Sequence, residues 1–195
     1  MKIGVISDTH GNVNAWRRAT AHFDGVDLII HAGDVLYHPP RLGWSEGYDI
    51  PAFAEAVNGS SVPIVFVQGN CDPHVYEELL DTSVHAPNAL VEHGGVRIFV
   101  MHGHLFGLKG QVMTREQMIE AGRRAGADYF VSGHTHVPVL DDVGGLVLMN
   151  PGSPSIPKFE ISGEPAPSVG IIAGDGAKII NINDGSVIME VKRGR

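Results

Sequence analysis

The sequence predicts an α/β fold in which two sheets pack face to face with helices on the outside. Three features point there. In the first seventy residues, short apolar runs of strand length alternate with segments patterned as helices, which indicates a parallel sheet covered on both faces. Beyond residue 88 the apolar runs follow one another through turn-forming residues, as antiparallel strands do. With 195 residues and 43% hydrophobic content the chain can bury one well-formed core, so a single domain over residues 1–195 is expected.

Residues 3–6 form a short buried-type strand ending in Ser-Asp. Residues 14–23 have helical spacing, with Ala15, Ala19 and the His22-Phe23 pair on one side and Trp16 in the core. Residues 27–31 make a second strand leading into Ala-Gly-Asp. Residues 50–58 make a helix stopped by Gly59, and residues 63–67 a third strand running into Gln-Gly-Asn. Residues 89–92 and 96–101, joined through His93-Gly94-Gly95, read as a hairpin. Residues 114–125 are a helix with Thr114 and Gln117 as a capping box and Gly126 past its end. Further strands follow at 129–132, 137–140, 146–149, 169–173, 178–182 and 186–191, the last two flanking the turn Asn183-Asp184-Gly185. The Pro- and Gly-rich stretch 150–168 reads as a long surface loop. His22, His74, His85 and His93 lack motif context and read as surface residues.

Five groups stand at the ends of these runs: Asp8-Thr9-His10, Gly33-Asp34, Gly69-Asn70-Cys71-Asp72, Met101-His102-Gly103-His104 and Gly133-His134-Thr135-His136. Side chains just past the carboxyl ends of strands in an open α/β sheet project into a common crevice. Asp8, Asp34, Asn70, His102 and His134 are therefore expected to meet. Taken singly, each is an ordinary cap or turn residue; five in order are not. In Asp8-x-His10 and His134-x-His136 the i, i+2 spacing puts both members on one side of an extended segment, presenting two ligands together. Carboxylates and imidazoles with a neutral amide suit Mn²⁺, Fe²⁺, Ni²⁺ or Zn²⁺, and the lack of thiolate pairs argues against a structural zinc knuckle. Two such ions against Asp8 and Asp34, with a bridging hydroxide, leave a net charge of about +1, which attracts a phosphate ester.

Net charge is −8 and no basic run is longer than Lys192-Arg193, so extended nucleic-acid binding is not expected. No apolar run reaches membrane-spanning length and no signal-peptide pattern opens the sequence. The single cysteine, Cys71, fits a reducing compartment, and a cytoplasmic location is expected.

The five groups resemble the calcineurin-like metallophosphoesterase superfamily. Asn70-Cys-Asp72, His102-Gly-His-Leu-Phe-Gly107, Asn150-Pro-Gly-Ser-Pro154 and the stretch 38–48 ending Glu46-Gly47-Tyr48 resemble more narrowly its small bacterial and archaeal phosphodiesterases of the YfcE type. The likeness spans residues 1–191. It implies a four-layer α/β/β/α sandwich of two packed mixed sheets. It also implies a phosphoric ester hydrolase with two divalent ions, a phosphodiesterase attacking through a metal-bridging hydroxide. One ion would be held by Asp8, His10, Asp34 and His136, the other by Asp34, Asn70, His102 and His134, with Asp34 shared. Mn²⁺ is the first expectation, with Ni²⁺, Fe²⁺ or Zn²⁺ as alternatives.

Asp34, Asn70, Cys71 and His104 are the residues assigned to the chemistry itself, His104 beside the ligands or facing substrate. Cys71 stands where many superfamily members have a histidine that protonates the leaving group. A thiol of pKa ~8.5 is a poorer donor near neutral pH than an imidazole at ~6.5, so packing stands as an equal reading for Cys71. His31 is expected in the core or behind the ligands. His38 and Arg41, in the polar loop after Asp34, are placed to reach a phosphate, and Trp44 to wall the cleft or join subunits. The expected partner is a small phosphoester, and a dimer or tetramer of the chain is compatible with the sequence. Two other readings stand beside this one: a phosphomonoesterase acting on proteins or nucleotides, and a non-catalytic scaffold like the superfamily's retromer subunit. That branch has lost ligand histidines, whereas this chain keeps each of them.

Overall fold

The computed structural model describes residues 1–37, 45–105, 111–174 and 176–192; the expectations for His38, Arg41 and Trp44 lie outside them. The first half runs β1 (Lys2–Ile6), α1 (Val13–Thr20), β2 (Leu28–His31), α2 (Ile50–Asn58) and β3 (Ile64–Phe66), followed by a 3₁₀ turn (His74–Glu78). Next come β4 (Asn88–His93), β5 (Val96–Met101), α3 (Arg115–Arg124), β6 (Tyr129–Val131), β7 (Val139–Val143) and β8 (Leu146–Asn150). The chain then forms β9 (Glu160–Ile161), β10 (Glu164–Pro165), β11 (Ser168–Ala173), β12 (Gly176–Asn181) and β13 (Val187–Lys192).

The helices begin where the sequence supplies a cap. Asn12 accepts from the Ala15 amide and Asp49 from the Ala52 amide. Thr114 and Gln117 form the reciprocal capping box. The first helix stops at Thr20, three residues short of the expected end, and Phe23 turns back to pack in the core.

β1, β2 and β3 pair in parallel, and β11, β12 and β13 continue antiparallel from the other side of β1, giving the order β13-β12-β11-β1-β2-β3. The second sheet has the order β4-β5-β6-β8-β7. Its outer pairs are antiparallel, but β5-β6 and β6-β8 are parallel. Antiparallel pairs dominate after residue 88, as expected, and the two parallel pairs are the addition: α3 carries the chain back between β5 and β6, and a helical crossover makes those two strands parallel.

Strand alternation then builds the layers. Ile3, Val5, Leu28, Ile30, Ile172 and Ile179 face Ile98, Val100, Tyr129, Val131, Val147 and Met149 between the sheets. On the outer side of the first sheet, Ile6, Ile29 and Phe66 pack against Trp16, Ala19, Phe53 and Val57 of α1 and α2. Phe130 and Leu148 lie under Met118 and Ile119 of α3. The result is the four-layer α/β/β/α sandwich of two mixed sheets.

Two further expectations change. The strand expected at 137–140 begins at Val139, because Pro138 has no N–H to give a ladder and His136 is left-handed. Residues 150–168 are not simply a surface loop. Pro151, Gly152, Ser153 and Pro154 are buried, and only β9 and β10 form an exposed two-stranded flap.

Candidate metal centre

β1, β2, β3, β5 and β6 end at one edge of the sandwich, and the five sequence groups occupy the loops that leave them. Two of these loops are zipped together by backbone: the Asp8 amide donates to Gly33 O (3.0 Å), His10 to Asp34 O (3.0 Å) and Gly11 to Val35 O (2.8 Å). The segments are not extended, as the i, i+2 argument supposed. Asp8, His10, Asp34, His134 and His136 all have left-handed φ, between 48° and 67°, and Ser162 is the only other such non-glycine among the described residues. This conformation is uncommon outside glycine and costs on the order of 1–2 kcal/mol where nothing compensates. The strain collects where the ligand candidates are. Glycine is required beside them: a Cβ on Gly69 would overlap the Asp34 carboxylate, and one on Gly133 would overlap Ser7 Oγ.

Backbone carbonyls aim the imidazoles. His10 Nδ1 bonds Tyr37 O, His102 Nδ1 bonds Ala32 O and His136 Nδ1 bonds Ile156 O, each at 2.7 Å. A carbonyl only accepts, so Nδ1 carries the proton and Nε2 is left as the ligand atom. The carboxylates are divided the same way. Asp8 Oδ2 accepts from Ser7 Oγ (2.7 Å) and the His134 amide (2.9 Å), and Asp34 Oδ1 from the Cys71 amide (2.8 Å). Their other oxygens face the imidazoles. Asp8 Oδ1 lies 3.2 Å from His136 Nε2 and 3.9 Å from those of His10 and His102. Asp34 Oδ2 lies 3.4 Å from His102 Nε2 and 3.8 Å from His10 Nε2.

Two sets of donors result: Asp8, His10 and His136, and Asp34, His102 and His134. They meet at Asp34, which also groups with His10 and Cys71. Divalent cations fit this arrangement. Asp8 Oδ1 and His102 Nε2 are buried without a hydrogen-bond partner, and His10 Nε2 faces His136 Nε2 at 3.3 Å with lone pair toward lone pair. Bonds of ~2.0–2.2 Å to one ion put neighbouring ligand atoms ~3.0–3.6 Å apart, close to the spacings seen.

The electrostatics agree with a cation-binding state. Burial pushes both aspartates upward, but His102 and the other imidazoles outweigh it and hold Asp8 and Asp34 below the ordinary carboxylate range. Burial depresses His10 and His134, leaving the neutral ligand form. Burial works against charge on His102 too, yet Asp34 and Asp8 lift it to about 9. A divalent ion would compete with that proton.

The remaining assigned residues surround these sets. Asn70 is exposed, with its side-chain nitrogen 3.2 Å from Cys71 Sγ. The Cys71 thiol is pushed far up by burial and by Asp34, so it stays protonated. His104 is half-buried beside His102 and His134 (ring centroids 5.3 and 6.1 Å), and burial with those neighbours lowers it to about 4. His31 is fully buried behind the centre. Its ring spans Thr9 Oγ1 (2.9 Å) and the Gly33 amide (3.2 Å), which occupies both nitrogens.

Sequence reasoning gave no role to the groups that hold the loops. Buried Asp72 accepts from the amides of Asp34, Val35 and Gly69, each at 2.8 Å, and so ties two ligand loops together. Burial and Asp34 raise it to about 6. Ser153 and Ser155 donate to the Asp8 carbonyl (2.8 and 2.9 Å), and Asn150 donates to Gly133 O (2.7 Å). Asp72 and Asn150 sit inside the Asn70-Cys-Asp72 and Asn150-Pro-Gly-Ser-Pro154 motifs, but a motif does not say which backbone a side chain will reach.

Comparison with known proteins agrees with this geometry. The family model for the calcineurin-like phosphoesterase superfamily domain matches residues 1–172. The chain is 37% identical to phosphodiesterase YfcE of Escherichia coli K12 over 193 residues, 98% of this chain and 97% of that one. It is 35% identical to a probable metallophosphoesterase of Methanothermobacter thermautotrophicus, over 92% and 89% of the two chains. The solved structure of the E. coli phosphoesterase Yfce superposes with a TM-score of 0.81 at 35% identity, covering all of both chains. Vps29 from Entamoeba histolytica, solved with Zn²⁺, shares the fold at a TM-score of 0.64 and 22% identity, over 98% and 99%. The chain belongs to the calcineurin-like phosphoesterase superfamily.

Proposed function

We propose that this protein is a phosphodiesterase dependent on two divalent ions that share Asp34. The observation that carries the reading is the position of Asp34 Oδ2, 3.8 Å from His10 Nε2 in one donor set and 3.4 Å from His102 Nε2 in the other. Bound there, such ions supply Lewis-acid polarisation of a phosphoryl group and an acidified water as nucleophile. The chain's own residues do the rest. Asp8, His10 and His136 make one ligand set with Asp34, and His102 and His134 the other, to which Asn70 belongs by its place on the loop beside Cys71. His104, neutral and next to His102 and His134, lines the approach to the ester. Cys71 is a protonated thiol beside Asp34, a weak acid for a leaving oxygen, which favours diesters with stable leaving groups. Mn²⁺ is the first candidate by the family resemblance, with Ni²⁺, Fe²⁺ or Zn²⁺, which the imidazoles of this set also suit, as alternatives.

The test is turnover of a bis-aryl phosphate by metal-stripped protein, which should be absent, appear with Mn²⁺ and disappear with chelator. One observation favours a second reading: the fold is shared with Vps29. If fully metallated protein turns over no diester and no monoester, the interaction-scaffold reading replaces the enzymatic one.

No helix among the described residues is long and apolar enough to cross a membrane. The reading places the enzyme in the cytoplasm, acting on a small phosphoester. A single domain over 1–195, assembling as a dimer or tetramer, is compatible with it.

A further inference from the structure

His74, Glu77 and His85 bring one nitrogen or oxygen each within 4.8 Å of one another, in a group that shares no residue with the centre described above. His74 and Glu77 are three residues apart on the 3₁₀ turn, where i and i+3 side chains eclipse on one face. His85 comes from the segment that follows. Sequence reasoning took it for a surface residue, but its side chain is only 8% exposed. Both of its ring nitrogens are buried without a hydrogen-bond partner. The nearer Glu77 oxygen stands 3.8 Å from His85 Nε2, too far for a hydrogen bond. That carboxylate is held in place by Ser83 Oγ at 3.0 Å, and the His74 ring lies against that of His85 with centroids 4.3 Å apart.

A buried imidazole with neither nitrogen satisfied is unfavourable, and here it sits between a second imidazole and a carboxylate. Two ligands at ~2.0–2.2 Å from a tetrahedral ion lie ~3.3–3.6 Å apart, a spacing that small rotations of the exposed His74 and half-exposed Glu77 would reach. We propose that His74, Glu77 and His85 bind a third divalent ion, zinc in preference to manganese, through two imidazoles and one carboxylate. Two nitrogens favour the later first-row ions over Mn²⁺, and exposed His74 leaves a position open to water.

The site's location gives it a consequence. The 3₁₀ turn starts two residues after Asp72, and the Gln68 amide donates to Ala86 O at 2.7 Å. An ion held by His74, Glu77 and His85 therefore clasps the two stretches of chain that flank the loop of Asn70 and Cys71. Its binding stiffens that loop from outside the reaction site.

The experiment is a zinc titration of metal-stripped full-length protein, read by calorimetry and by elemental analysis after desalting. It is repeated on Glu77→Gln and His74→Ala, both at exposed positions, with circular dichroism as the check on folding. Each variant should bind one zinc ion fewer per chain, or bind it at least about tenfold more weakly. Manganese-supported turnover of an aryl diester should be unchanged. Hydrogen exchange over residues 74–86 should slow with zinc in the native protein and not in the variants. Equal zinc counts and affinities in all three proteins would overturn the proposal, as would zinc-dependent protection confined to the Asp34 loops. Should one variant not fold, the other decides. The zinc count at this cluster is independent of the two-ion reading around Asp34, so either can fail without the other.

Discussion

His10 and His136 face each other Nε2 to Nε2 at 3.3 Å, each with its other nitrogen given to a backbone carbonyl at 2.7 Å. Neither ring can turn a proton toward its neighbour without breaking a buried hydrogen bond. A cation between them removes the conflict, and Asp8 Oδ1, 3.2 Å from His136 Nε2, supplies the balancing charge. The pair sets the expectation for every metal measurement on this protein.

Asp34 groups with His102 and His134 and also stands 3.8 Å from His10 of the other donor set, so on the proposed reading its loss should be worse than the loss of a residue that faces only one. Asp34→Ala should retain fewer than one ion per chain and lose at least ~10²-fold in kcat/KM for an aryl diester. His136→Ala should keep the ion of the Asp34–His102–His134 set. Elemental analysis beside kinetics checks this, and equal metal loss in the two variants would refute a shared role for Asp34.

Asp72 accepts from three buried amides, and an asparagine there has only one oxygen to offer. Asp72→Asn leaves at least one N–H facing an NH₂ group. We expect a loss of roughly 1–3 kcal/mol in stability and a fall of about 10–100-fold in metal affinity, although Asp72 faces amides only. Urea unfolding with and without Mn²⁺ separates the two effects. A variant with native affinity and reduced stability would limit Asp72 to a scaffolding role.

His31 gives a pH dependence whose sign is fixed. Burial lowers it from 6.5 to about 3, so the folded protein holds it neutral while the unfolded chain takes up a proton below pH 6.5. Its contribution is fully present above that value and is lost as pH falls toward about 3, at up to ~1.4 kcal/mol per pH unit. His31→Gln should flatten this part of the stability profile, measured as the urea midpoint against pH. An unchanged slope would assign the acid sensitivity to other groups.

Cys71, its thiol held protonated by burial and by Asp34, should serve poorly for leaving groups that need a proton. Aryl esters should be cleaved much faster than alkyl esters of the same phosphate charge. Cys71→His should raise turnover of alkyl esters and monoesters more than that of activated diesters, by as much as ~10²-fold. The check is kcat/KM across a leaving-group series at equal metal content. Identical slopes in the two proteins would leave Cys71 as packing.

What the sequence alone determined was local. Apolar periodicity marked the strands and helices to within a few residues, capping residues marked where helices start, and strand-end position pointed to Asp8, Asp34, Asn70, His102 and His134 as a converging set, of which Asp34, His102 and His134 group together and Asp8 groups with His10 and His136. What only the tertiary structure decided was how those residues are held. Asp8, His10 and Asp34 adopt left-handed backbone where loops 7–11 and 32–35 bond to each other, and His134 and His136 do so on a third loop, which contradicts the extended geometry that spacing suggested. His134 and His136 fall in different donor sets, as the family resemblance implied. Asp72 reaches Asp34 across 38 residues and Ser153 reaches Asp8 across 145. Residues 151–154, read as surface from their prolines and glycine, are buried, and the His85 side chain is only 8% exposed next to Glu77. Periodicity reports what a segment prefers by itself. Which backbone amide meets which carboxylate depends on how distant loops touch, and no local pattern encodes that.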